Sequence, residues 1–238
     1  YLYFHPEDYE TLFFIALIPG LLAVLASFYL KDKKVQEQKK KTSTSFFSFL
    51  NYWKESPPEY RKVLIGLLVF TLFNSSDVFL LLKVKQSGLN DAMVIGVYIF
   101  YNLIYALFSF PIGIIADKVG LKLIFIIGLC LFAAVYFGMA MSTNIYVMTG
   151  MFFLYGVYAA ATEGISKAWI SNIVDKKDTA TAIGTYSGFQ SICTMIASSL
   201  TGFIWFYWDA ATAFITTAIV TLLVMFYFMS IPNPKRIN

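Results

Sequence analysis

An all-α integral membrane protein is the fold class this sequence predicts, and three observations carry it. The 238-residue chain is 58% hydrophobic and 13% charged, where an ordinary soluble domain carries about a quarter charged residues. It contains seven apolar stretches, at 12–30, 63–82, 93–116, 123–141, 145–168, 182–206 and 210–230, each close to the ~20 residues that cross ~30 Å of hydrocarbon as a helix. Its cations gather in the short segments between those stretches rather than within them.

The stretches are expected to be helices because hydrocarbon offers no partner for a backbone N–H or C=O, so each segment must satisfy its own. They lack the short alternating pattern of a membrane β-barrel. A net charge of +4 is no nucleic-acid signal, since the basic residues are interleaved with apolar spans. Cys130 and Cys193 lie in separate apolar runs without His or Cys at ligand spacing, so they read as small packing residues and predict no metal or cofactor. The chain opens at Tyr1 without an initiator Met or a signal-peptide pattern, which predicts a piece of a longer polypeptide.

The first span, 12–30, is followed by a basic linker, 31–62, ahead of the six spans in 63–238. Within the linker, Phe46, Phe47, Phe49, Leu50, Tyr52 and Trp53 follow a run of lysines. That order fits a short helix lying among lipid headgroups and stopped by Pro57 and Pro58, with a disordered linker as the alternative.

Lysine and arginine also set the orientation. Fifteen of the eighteen fall on one side, in 31–62, in the loops after the third and fifth spans, and at the C-terminus, against Lys83 and Lys85 on the other. The crowded side is expected to be cytoplasmic. This places the linker and the C-terminus on the cytoplasmic side of the membrane, with 1–10 outside.

Polar groups within the spans mark the candidate site, because ionisable side chains in a membrane tend to face a cavity or a partner. In the second span, Phe73-Asn74-Ser75-Ser76-Asp77 puts a carboxyl fourteen residues beyond Val63, about 21 Å along a continuous helix. Asn74 lies one turn earlier on the same face. Two readings stand for Asp77: a carboxylate that takes up and releases a proton, or one fixed by hydrogen bonds to a neighbouring helix.

In the third span, Tyr98, Tyr101, Asn102 and Tyr105 share one face at i, i+3, i+4 and i+7, as a small-molecule wall in a helical bundle does. Tyr186, Gln190 and Thr194 form a second polar stripe in the sixth span. Gly184 and Gly188 beside it make a G-x-x-x-G pair that permits close helix packing. Glu163 and Lys167, one turn apart near the end of the fifth span, fit a salt bridge at a cytoplasmic gate.

Between the third and fourth spans the chain reads Gly113-Ile114-Ile115-Ala116-Asp117-Lys118-Val119-Gly120-Leu121-Lys122. This resembles the G-x-x-x-D-[RK]-x-G-[RK]-[RK] signature of the major facilitator superfamily, found in the cytoplasmic loop between the second and third helices of each six-helix half. Leu121 departs from it, standing where a cation is usual. Ile18-Pro19-Gly20-Leu21-Leu22 resembles the sixth helix of these carriers. Asn74-Ser75-Ser76-Asp77 resembles the seventh helix of a prokaryotic branch described mostly as permeases. The segment 174–184 is similar to the loop between helices ten and eleven, although Thr179-Ala180 replaces its usual Arg-Gly pair.

The resemblance implies one six-helix half bundle plus one preceding helix, helices six to twelve, with the N-terminal half of the same polypeptide as partner. It also implies transport of a small organic solute by alternating access, with binding near the bilayer midplane between the two halves. In that frame Gly113, Asp117, Lys118, Gly120 and Lys122 belong to a cytoplasmic gate. Asp77, Asn74, Tyr98, Tyr101, Asn102, Tyr105 and Gln190 belong to the cavity, with protons as the expected coupling ion.

A seven-helix photoreceptor is the alternative from another class, with Lys167 as its Schiff base, but it leaves the long linker and the signature loop unexplained. The residues give no support to an enzyme. The single His5 lies at the terminus, no nucleophile is set beside a base, and no Gly-rich phosphate loop is present.

Overall fold

The long apolar runs form helices, one of them broken, and several helix starts are written in the sequence. Asn90 accepts the Met93 N–H at 2.9 Å, Asn144 that of Tyr146 at 2.9 Å, and Asp209 that of Thr212 at 2.6 Å, each satisfying a donor that the helix start leaves free. The Thr212 amide holds the exposed Asp209 carboxyl below the usual carboxylate range. Within the helices, hydroxyls turn back on their own carbonyls, as in Thr71 to Leu67 at 2.8 Å and Thr162 to Tyr158 at 2.9 Å. In hydrocarbon this is the local way to satisfy an O–H.

The structure is a computed structural model that describes residues 4, 5, 8–28 and 48–232. Among the described residues the helices are α1 Tyr9–Ser27, α2 Ser48–Glu55, α3 Pro58–Thr71, α4 Val78–Gln86, α5 Asp91–Val119, α6 Leu121–Met141, α7 Ile145–Asn172, α8 Thr179–Tyr207 and α9 Ala210–Ser230. Six of them, α1 and α5 to α9, are long and apolar enough to cross a membrane. The chain divides into two compact units, Tyr1–Thr44 and Ser45–Asn238. The first contains α1, whose apolar side chains, Phe13 and Leu22 among them, are exposed.

In the second unit α6 packs against α7 and α9, and α5 lies along α7. Gly156 permits the α5–α7 approach, since a Cβ there would stand 2.7 Å from the Tyr101 carbonyl oxygen and 2.8 Å from Ile104 Cβ. The interior is aromatic. Phe70 stacks edge-on with Phe132 at 5.1 Å, Phe125 with Phe228 at 5.2 Å, and Phe132 lies 4.7 Å from Tyr158. Lipid supplies no hydrophobic drive between helices, so this close van der Waals packing holds them together. Side chains such as Phe110 and Phe206, 77% and 82% exposed, point outward as lipid-facing residues do.

One predicted span is not a continuous helix. The stretch expected at 63–82 is divided into α3 and α4 by a non-helical segment at 72–77. Asn and Ser there compete with the backbone for its own hydrogen bonds, which disfavours a helix even inside an apolar window.

The headgroup helix expected at 46–53 is helical from Ser48 onward, and Phe46 and Phe47 lie outside the described residues. It seats on the bundle rather than beside it. Tyr52 is buried edge-on against Tyr60 at 5.5 Å, and the Tyr60 hydroxyl donates to the Ala182 carbonyl at 2.9 Å. The lysines of 31–41, and Lys235 and Arg236, lie outside the described residues.

The signature loop forms a tight corner between α5 and α6. Gly120 ends α5 with φ of 107°, a conformation that other residues rarely adopt. Lys122 Nζ donates to the Ile231 carbonyl, placing a cation at the C-terminal end of α9, where the helix dipole is negative. Asp117 and Lys118 are exposed, and Asp117 meets no helix N-terminus among the described residues. Gly113, Gly184 and Gly188 have open space where a Cβ would stand, so none of them serves a close approach within this bundle.

Candidate functional site

The break between α3 and α4 positions the site. Phe73 and Asn74 direct their amides back to the Phe70 carbonyl at 3.0 Å, closing α3. The Ser76 amide leaves the helix line altogether and donates to the Ser198 hydroxyl of α8 at 3.2 Å. Ser76 Oγ accepts the Val78 amide at 3.4 Å, and α4 starts from there. A hydroxyl of the neighbouring helix therefore takes the place of a lost helical bond, which keeps an unwound turn tolerable at membrane depth.

Asp77 precedes α4 at this break, and its carboxylate is held by two phenols. The Tyr155 hydroxyl of α7 donates to Oδ1 at 2.5 Å, and the Tyr101 hydroxyl of α5 donates to Oδ2. The rings of Tyr101 and Tyr155 meet edge-on, 5.3 Å apart. Asn74 Nδ2 donates to the Tyr158 hydroxyl at 3.1 Å, one turn along α7. Two helices, α5 and α7, thus converge on the acidic group at the break.

A cavity of about 530 Å³ opens onto this cluster. Asn74, Asp77 and Tyr98 line it from α5 and the break, and Gln190 and Thr194 line it from α8. Tyr101 stands behind Asp77 as its hydrogen-bond donor. Asn102 donates to the Tyr98 carbonyl of its own helix at 2.9 Å, and Tyr105 faces Glu163. Tyr186 is buried behind the α8 stripe, beside Thr71 and Ser166.

Glu163 and Lys167 also line the cavity, which therefore runs down α7 from Tyr155 past two turns of helix. They form no ion pair with each other. Among the described residues the ion pairs are Lys85–Asp91 at 2.7 Å and Asp175–Lys177 at 3.4 Å. A second recess of about 230 Å³, between α3 and α9, is lined by apolar residues such as Ile65, Val69 and Leu223 together with Tyr227, and offers no comparable chemistry.

Sequence reasoning missed Tyr155, Tyr158 and Ser198. A signal was present in α7, where Tyr155, Tyr158 and Thr162 recur at i, i+3 and i+7.

A bundle of membrane-length helices, lining a polar cavity with a phenol-bound carboxylate at a helix break, defines a polytopic membrane protein with a polar cavity among its helices. Residues 88–238 match the family model described as Major Facilitator Superfamily, and the chain belongs to that family. It is 28% identical over 204 residues to the uncharacterized MFS-type transporter MJ1317 of Methanocaldococcus jannaschii, an alignment that covers 83% of this chain and 50% of the relative. The chain spans about half the length of that curated relative.

Proposed function

We propose that this chain forms one wall of a secondary transporter that moves a small organic solute by alternating access, with protons coupled through Asp77. The observation that carries the reading is the carboxylate at the α3–α4 break, bonded to Tyr101 and Tyr155 beside the cavity. An ionised carboxylate only accepts hydrogen bonds, and a protonated one must donate from one oxygen. Taking up a proton therefore reverses one of these bonds, so that the carboxyl donates to that phenol's oxygen, and the neutral pair holds α4 to α5 or α7 less strongly than the charge-assisted one. That is a two-state element of the kind a coupled carrier needs.

The partners in this reading are the bilayer, the solute, protons and the N-terminal half of the same polypeptide, which supplies the opposing wall. Tyr98, Tyr155, Tyr158 and Gln190 give an aromatic and amide surface suited to a polar organic molecule. Gly113, Asp117, Lys118, Gly120 and Lys122 form the cytoplasmic corner. Glu163 and Lys167 line the cavity further along α7 toward that side.

The test of coupling is solute flux against an imposed proton gradient, in the full-length protein reconstituted in liposomes. Asp77→Asn should leave downhill flux and remove proton-driven accumulation, and unchanged accumulation would exclude Asp77 from the coupling step. The linker 31–62 and the C-terminus are placed in the cytoplasm by the cation count. A cysteine introduced in the linker should resist a membrane-impermeant thiol reagent applied to intact cells, and ready labelling would reverse the orientation.

A further inference from the structure

The helix break gathers more oxygen than its hydrogen bonds use. Ser75 Oγ and the Tyr136 hydroxyl are both buried without a hydrogen-bond partner, on residues that are 3% and 0% exposed. The Ser75 hydroxyl lies beside the Tyr136 phenol, and the Asp77 carboxylate is close by. The carbonyls of Leu72, Phe73, Asn74 and Ser75 also accept no hydrogen bond from any described residue. Buried side-chain hydroxyls without a partner are rare and costly, and two of them stand beside this break.

The charge at this point is single and negative. Asp77 is the ionisable carboxyl of the break, and the nearest other acid of the cavity, Glu163, lies two turns further down α7 from Tyr155 and faces Tyr105. The oxygen set is hard: one carboxylate, one serine hydroxyl, one phenol and main-chain carbonyls. Among the described residues no three of His, Cys, Asp and Glu come together, so the set lacks the soft or multiply charged donors that hold a transition metal or a divalent ion. Unwound backbone in a membrane helix is tolerated where it is buried in protein or lines a water-filled cavity, and carbonyls freed there can coordinate a cation.

We propose that the α3–α4 break binds a monovalent cation of sodium size, held by Asp77, Ser75 Oγ, the Tyr136 hydroxyl and the freed carbonyls of 72–75. The site deepens the coupling role given to Asp77 and rests on that reading, because Na⁺ and H⁺ then compete for one carboxylate. A water molecule bridging Ser75 and Tyr136 is the rival occupant, and it would bind without regard to the salt.

The test reads binding alone, so its outcome is separate from that of the flux assay. The purified full-length protein in detergent is melted at fixed pH in NaCl, KCl and choline chloride of equal ionic strength. Sodium should raise the melting temperature in a saturable way that choline does not reproduce. Ser75→Ala removes an orphaned hydroxyl, so in choline it should melt no lower than the parent, yet its sodium response should be lost. Tyr136→Phe should weaken the response in the same direction and keeps the test decisive if Ser75→Ala folds poorly. Equal melting in sodium and choline, as bridging water predicts, would overturn the proposal, and so would a full sodium response in both variants. Proton-driven accumulation in sodium-free buffer would then still stand by its own assay.

Discussion

Tyr155 of α7 reaches Asp77 at 2.5 Å although 78 residues separate them, and this bond pins the start of α4 to the middle of a helix in the bundle core. A hydrogen bond to a charged acceptor contributes about 1.5–3 kcal/mol. Tyr155→Phe should lower unfolding stability by about that amount. In the Asp77→Asn background the same change should cost less, because the acceptor is neutral there. A double-mutant cycle in detergent checks it, and strict additivity would show that the two groups do not interact.

Gly156 governs whether Tyr101 can reach the same carboxylate from the other side. A methyl group there meets the Tyr101 carbonyl oxygen at 2.7 Å, so Gly156→Ala should push α5 from α7 and destabilise by about 1–3 kcal/mol. Gly150 lies on the same helix with open space around it, and Gly150→Ala should be neutral or slightly stabilising. Melting temperatures of the two variants give the comparison, and equal shifts would contradict the packing described.

Lys122 holds the last turn of α9 through the Ile231 carbonyl. Lys122→Gln should cost about 0.3–1 kcal/mol and speed hydrogen exchange at the end of α9, while Lys122→Arg should preserve protection. Unchanged exchange in the glutamine variant would mean the contact does not restrain that end.

Tyr52 supplies a pH test outside the membrane spans. Burial first, then the charges of Asp178 and Asp175, push its phenol up to about 12 from its ordinary value of 10.0. The folded state thus favours the protonated phenol. Its contribution is complete below the unfolded value and is lost as pH rises through the folded one. Trp53 fluorescence should report loosening of α2 between those two values. Tyr52→Phe removes a buried hydroxyl without a partner, so it should abolish that transition without loss of stability at neutral pH.

The helical class and six of the seven expected membrane-length segments were legible because apolar length is a property of composition. The α3–α4 break was not, though its residues stood out. Asn74, Ser75, Ser76 and Asp77 were read as chemistry on a continuous helix, since the flanking Phe and Leu keep the stretch apolar on average. Whether such a cluster unwinds depends on a donor or acceptor elsewhere, here the Ser198 hydroxyl, which no local pattern announces.

The face of Tyr98, Tyr101 and Tyr105 was visible as a stripe, but its division of labour was not: Tyr98 lines the cavity, Tyr101 binds the carboxylate, and Tyr105 faces Glu163. Tyr155 and Tyr158 escaped because tyrosine in a span reads as easily as packing. Counting residues from the helix end put Glu163 and Lys167 near the boundary, and spacing on one helix gave no measure of how far a cavity between helices extends.

α8 carries two jobs on one rod. Its first turns pack against α2 and accept, at the Ala182 carbonyl, the bond from Tyr60 of α3, and eight residues on, about 12 Å, the same helix presents Gln190 to the cavity. An unbroken helix transmits tilt with little loss, so the seat of α2 and the Gln190 wall of the cavity belong to one lever.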